Sequence, residues 1–212
     1  MNKKARAREI VERLQRAYPD ARCTLDFSNH FELMVGGILA TQSTDKRVNL
    51  TLPDLLRTYP TPEAMAKAEP ADVEPLVQSV GLYKNKAKAL VGASRLIEEK
   101  HQGKVPSEMK DLLELPGIGR KIANLIRGDG FGIPGVVVDT HCGRIARRLG
   151  LTKKNDPTGV ERDLEKVLPK EHYVKFGHLM VAHGREICVA RKPRCSSCVL
   201  ADICPKVGVD GA

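Results

Sequence analysis

The sequence predicts an all-α fold, on three observations. Apolar residues recur every three to four positions through most of the 212 residues, the period of a helix and not the alternation of a strand. Aromatic residues make up 4% and Trp is absent, so the core has to be packed from Leu, Ile, Val and Ala at helical spacing. Only Val136-Val137-Val138 reads as a strand, and it is short.

Taken in order, residues 4–17 put Ile10, Leu14 and Ala17 on one stripe, an amphipathic helix that stops before Tyr18-Pro19. Residues 31–42 are almost continuously apolar, too long for a strand and suited to a buried helix. Thr61-Pro62-Glu63 opens another, since Thr caps well and Pro is favoured at the first helical position. Residues 72–80 continue the pattern, and 85–100 form a further helix with Ala87, Leu90, Ala93 and Ile97 apolar. Ser107 is expected to cap a helix over 108–115, and a tight Pro-Gly hairpin leads to the next over 120–127. Segments 160–168 and 174–187 complete the set, with no linker, low-complexity stretch or internal repeat.

Lys and Arg total 35 against 26 acidic residues, a net charge of +9 that points to a polyanionic partner. No stretch approaches the roughly 20 apolar residues that span a bilayer, which argues against a membrane protein. Nothing at the N-terminus reads as a secretory signal, so the six cysteines are expected to stay reduced. Cys23 and Cys142 read as buried thiols.

The other four form one run: Cys188, six residues, Cys195, two residues, Cys198, five residues, Cys204. The residues between them, Arg191-Lys192-Pro193-Arg194 and Ser196-Ser197, are polar and turn-prone, so the segment has little core of its own. A metal centre supplies the missing folding energy. On spacing alone, a structural four-cysteine zinc site and a [4Fe–4S] cluster fit alike.

Leu115-Pro116-Gly117-Ile118-Gly119-Arg120-Lys121 is the second constellation. Two glycines at i and i+2 allow a sharp turn into a helix N-terminus, whose free N–H groups and positive dipole end can hold one phosphate. This is a helix–hairpin–helix element, which grips a nucleic-acid backbone without reading sequence. The plain alternative is a tight turn, with Lys121 a phosphate contact. Lys121, beside Arg120, is expected to lose some preference for its charged form, which would free the amine for attack. Asp139 follows the apolar run and precedes Thr140-His141, where it is either a helix cap or a catalytic carboxylate.

Together, residues 115–124 (LPGIGRKIAN), Val138-Asp139-Thr140-His141 and the cysteine run resemble the endonuclease III family of bifunctional DNA glycosylases, as do residues 39–45 (LATQSTD) and 81–87 (GLYKNKA). The resemblance runs through essentially the whole chain. It implies two helical lobes with a DNA-binding cleft between them: a central helical bundle over 23–133, and an iron–sulfur lobe from 1–22 plus 134–212. It implies that Lys121 attacks the sugar C1′ and that Asp139 assists the nucleophile and the developing sugar cation. Gln42 and Leu82 would fill and wedge the duplex when a nucleotide is flipped out, and Gly117, Gly119 and Arg120 would hold the backbone. Cys188, Cys195, Cys198 and Cys204 would carry a [4Fe–4S] cluster, with Arg191, Lys192 and Arg194 on its first loop against phosphates. The implied partner is duplex DNA with damaged pyrimidines or abasic sites, bound by a monomer in a bacterial cytoplasm. A mismatch-directed thymine or uracil glycosylase, or a non-catalytic DNA-binding iron–sulfur protein, are the alternatives.

The chain departs from the family at Arg127-Gly128-Asp129-Gly130 and at Cys142-Gly143. Both lie near the catalytic pair in sequence and are expected to bear on base specificity. Asp129 fits the apolar stripe Ile122, Leu125, Ile126 poorly, so the helix should loosen at Gly128, and a buried Arg127 needs a partner or a route to solvent.

Overall fold

Helix α1 (Lys3–Ala17) begins where the Asn2 side chain accepts a 2.8 Å hydrogen bond from the Ala5 N–H, and it buries Ala7, Ile10, Val11 and Leu14. The computed structural model describes residues 2–209. They divide into two units, one from the described residues up to Arg22 and from Pro134 onwards, the other Cys23–Ile133. Among the described residues there is no strand, and no helix is long and apolar enough to cross a membrane.

The Cys23–Ile133 unit is built around α2 (His30–Leu39), in which every residue from Phe31 to Leu39 except Glu32 is buried. Asn29 and Glu32 cap it reciprocally: the Asn29 side chain accepts from the Glu32 N–H, while the Glu32 carboxylate accepts from Ser28. Helix α3 (Asp45–Thr58) follows, capped by Thr44 and burying Val48, Leu52 and Leu55. The sequence reading passed over it because Pro53 lies in its interior. Helix α4 (Pro62–Ala66) has the expected Thr61 cap. Helix α5 (Pro70–Val77) runs into a 3₁₀ turn, Gln78–Val80, and then α6 (Tyr83–His101) packs on α2, α4 and α5.

Helix α7 (Met109–Glu114) is not capped by Ser107; Glu108 takes that position and makes no side-chain cap bond. Helix α8 (Arg120–Leu125) passes into a π-helical turn, Ile126–Gly130, marked by the Phe131 N–H donating to the Ile126 carbonyl at 3.2 Å. Its packing on α2 requires Gly37, where a Cβ would come within 2.8 Å of Ile122.

In the other unit α1 joins α9 (Thr140–Arg148), α10 (Pro157–Glu165) and α11 (Tyr173–Glu186) around Ile145, Leu149, Leu164, Phe176, Leu179 and Met180. Val136 and Val138 are buried in this core, but the run pairs with no strand among the described residues. Three consecutive β-branched residues made it strand-like; the core, and not a sheet, uses it.

Candidate active site and metal centre

The hairpin between α7 and α8 needs one of its glycines for the fold and leaves the other open. Gly117 has φ +81°, and a Cβ there would meet the Ala89 Cβ at 2.8 Å. Gly119 is extended (φ −92°, ψ 175°), and no atom lies within 4 Å of where its Cβ would be. Neither backbone nor packing demands glycine at 119, so the sequence argument for two turn-forming glycines holds only for Gly117. As N-cap of α8, Gly119 supplies no side chain to the first N–H groups of the helix. Lys121 is exposed in that first turn, and Arg120 is half-buried beside it.

Gln42 and Leu82 lie in the same unit, at the ends of loops that follow α2 and the 3₁₀ turn. Both are exposed, and both have left-handed backbones, φ 54° and 48°. Such conformations are strained for residues with a Cβ and persist where the surroundings impose them. Leu82 is 50% exposed, a large apolar side chain held out in solvent. Near it the Lys86 ammonium donates to the Val80 carbonyl at 2.8 Å.

Asp139 belongs to the other unit. Its Oδ1 accepts a 2.7 Å bond from the Cys142 N–H and caps α9, so the plain reading is realised. The bond engages one carboxylate oxygen and fixes how the other is presented. Cys142 packs wholly buried against Val136, Ile145 and their neighbours, and burial raises its thiol pKa. Arg127 is half-buried and donates from Nε to the Ser107 carbonyl at 3.2 Å.

All four cysteines of the C-terminal run line one cavity, together with Arg148 and His183. Arg148 donates to the carbonyls of Val189 at 2.7 Å and Ala190 at 2.8 Å, and to Cys188 Sγ at 3.3 Å. Backbone N–H groups of Leu200 and Lys206 point at Cys198 Sγ (3.4 Å) and Cys204 Sγ (3.3 Å). His183 Nε2 lies 3.6 Å from Cys198 Sγ, while its Nδ1 meets the Tyr18 hydroxyl at 3.2 Å. Burial pulls the His183 pKa down to about 4, so the ring is neutral. The four thiols stand round one shared cavity, as ligands of a single cluster must. Burial raises the thiol pKa of Cys198 and Cys204, and the backbone N–H groups aimed at their sulfurs offset part of that in favour of the thiolates. The donor set therefore fits an iron–sulfur cluster. Arg191, Lys192 and Arg194 are exposed on the first loop, Lys192 with φ 51°.

Sequence reasoning missed Lys86, Arg148, His183 and Tyr18. Arg147-Arg148 at the end of α9 reads as ordinary charge at a helix C-terminus, and a lysine or histidine at helical spacing carries no mark of its burial.

The match of residues 35–170 to the model of the HhH-GPD superfamily of base excision DNA repair proteins defines the class. Residues 188–204 match the iron–sulfur binding domain of endonuclease III. The chain is 46% identical over 205 residues to endonuclease III of Synechocystis sp., covering 96% of this chain and 94% of the relative. It is 38% identical to that of Escherichia coli, covering 95% of each. A solved structure of a non-covalent endonuclease III–DNA complex superposes with TM-score 0.91 at 35% identity, covering 97% of both chains. A thermostable thymine-DNA glycosylase shares the fold alone, with TM-score 0.86 at 19% identity. The chain belongs to the endonuclease III family, and is thus a DNA glycosylase and abasic-site lyase of base excision repair with an iron–sulfur cluster as cofactor.

Proposed function

We propose that this enzyme removes oxidised pyrimidines from duplex DNA and then cleaves the abasic strand, with Lys121 as nucleophile. The Lys121 amine attacks the sugar C1′, the C1′–base bond breaks, and the base leaves with its electron pair and a proton. The C1′–O4′ bond then opens as the nitrogen lone pair forms a Schiff base. Loss of a proton from C2′ expels the 3′ phosphate by β-elimination, and water releases the lysine. Asp139 assists by taking the amine's proton and by balancing positive charge that develops on the sugar. Gly117, Gly119 and Arg120 hold the phosphate backbone, Gln42 and Leu82 occupy the space left by the flipped nucleotide, and Arg191, Lys192 and Arg194 add backbone contacts. Cys188, Cys195, Cys198 and Cys204 hold the cluster as [4Fe–4S], which shapes the loop that presents those cations. The enzyme acts as a monomer in the bacterial cytoplasm; the two relatives named above are bacterial.

The observation that carries this reading is the exposed Lys121 in the first helical turn after an open-sided glycine hairpin. A backbone phosphate seated at Gly119 would bring the amine beside the strand it attacks. Likeness to the DNA complexes supports the partner. Borohydride reduction on abasic duplex tests it. Wild type should give a covalent adduct, and Lys121→Gln none, while still binding the duplex. Asp139→Asn should bind and slow both steps by roughly 10²–10⁴-fold. A trapped adduct with Lys121→Gln would make another amine the nucleophile.

A further inference from the structure

Lys86 is 4% exposed in the first turn of α6, an unusual place for an ammonium. Desolvation lowers its pKa, so burial acts against its charge. A methionine of similar length would fill the same space without that penalty but would leave the buried Val80 carbonyl without its donor, which points to that carbonyl as what the charge serves. The contacts answer. Lys86 grips one short segment twice: Nζ donates to the Val80 carbonyl at 2.8 Å, and the backbone N–H donates to the Leu82 carbonyl at 3.0 Å. Between those two carbonyls lie the left-handed turns of Gly81 (φ 68°) and Leu82 (φ 48°). On the far side, the Ser79 hydroxyl lies within 2.8 Å of the buried Thr51 hydroxyl of α3, and the Thr51 hydroxyl donates to the Arg47 carbonyl at 2.9 Å. A strained residue keeps its conformation only where its surroundings fix it, and here the flanks of Leu82 are fixed to α6 and α3.

We propose that Lys86, supported by the Thr51–Ser79 bond, is a positioning residue that holds Leu82 out as a rigid wedge for insertion into duplex DNA. This rests on the reading of Leu82 given above. A loose loop would have to be ordered during insertion; one already fixed spends no binding energy on that. Lys86 itself is almost wholly buried, so its role lies on the loop and not on a nucleotide.

The test uses cluster-loaded protein and a duplex with 2-aminopurine beside an oxidised pyrimidine, whose fluorescence rises as the stack opens. Wild type, Lys86→Met, Leu82→Ala and the double variant are compared, with thermal melting of each. Lys86→Met should open the stack roughly tenfold more slowly, the size of one charge-assisted hydrogen bond, while thermal melting shows it still folded at the assay temperature. In the Leu82→Ala background the same change should have no further effect. Opening at the wild-type rate by Lys86→Met, or an equal loss with and without Leu82, would overturn the proposal. If Leu82→Ala alone opens the stack at the wild-type rate, the wedge reading falls and this inference with it. Should Lys86→Met not fold, Ser79→Ala, at an exposed position, breaks the second tie; its loss must likewise vanish in the Leu82→Ala background, and a loss independent of Leu82 overturns the proposal.

Discussion

Five non-glycine residues among those described have left-handed backbones, and three of them, Gln42, Leu82 and Lys192, stand at candidate DNA contacts. A fourth, Gln102, ends α6 in the manner of a helix C-cap. None of this was legible in the sequence, because Gln, Leu and Lys carry no signal for positive φ; only resemblance marked those positions. Arg127 shows the reverse case. The sequence posed the problem of a charge on a buried helix, and the structure resolves it with the Ser107 carbonyl, which ties the π turn to the start of α7. That contact gives Arg127 a part in the fold, at the π turn. Arg127→Leu should cost about 1 kcal/mol of stability and leave the ratio of base excision to abasic-site cleavage unchanged in single-turnover kinetics. A shifted ratio would return it to base selection.

At the scale of elements, the hairpin glycines separate stability from binding. Gly117→Ala forces a Cβ into Ala89 at a left-handed position and should cost roughly 2–3 kcal/mol in denaturant unfolding. Gly119→Ala meets no protein atom and should leave the midpoint within about 0.5 kcal/mol. It should nonetheless weaken binding to damaged and undamaged duplex alike, since it covers the open side. Equal effects on stability would remove the special place given to Gly119. The cluster segment is expected to behave as a metal-dependent element: Cys198→Ala should yield insoluble or iron-free protein, whereas wild type is yellow-brown with iron and sulfide. A colourless, zinc-loaded, active wild type would contradict this. Periodicity exposed most helices, because their apolar stripes are what the core buries. Helix α3 was hidden by Pro53, although Val48, Leu52 and Leu55 make the same stripe. The run Val136-Val137-Val138 misled in the other direction, since an extended segment crossing a core carries the same residues as a strand.

For the whole molecule, the net charge of +9 predicts an affinity for DNA that falls steeply with salt. Arg191→Ala and Arg194→Ala, exposed on the cluster loop, should each lower the slope of log affinity against log salt by roughly one. The loss should be equal on damaged and undamaged duplex; an effect confined to lesion DNA would make the loop a reader of damage. The order of motifs along the chain was enough to place the family. The spacing of Cys188, Cys195, Cys198 and Cys204 alone left zinc and iron–sulfur open, because spacing states how many ligands converge and not how far apart their sulfurs stand. The shared cavity, with Arg148 and His183 packed against the thiols from α9 and α11, comes from tertiary packing that spacing does not show.

The central claim is that one amine does both halves of the reaction. Its most direct test is peptide mapping by mass spectrometry of the adduct that borohydride traps on a duplex carrying an oxidised pyrimidine. The account predicts a single modified peptide with the sugar on Lys121. Adduct on any other amine, Lys84 or the N-terminus included, or glycosylase activity with no adduct at all, would contradict it.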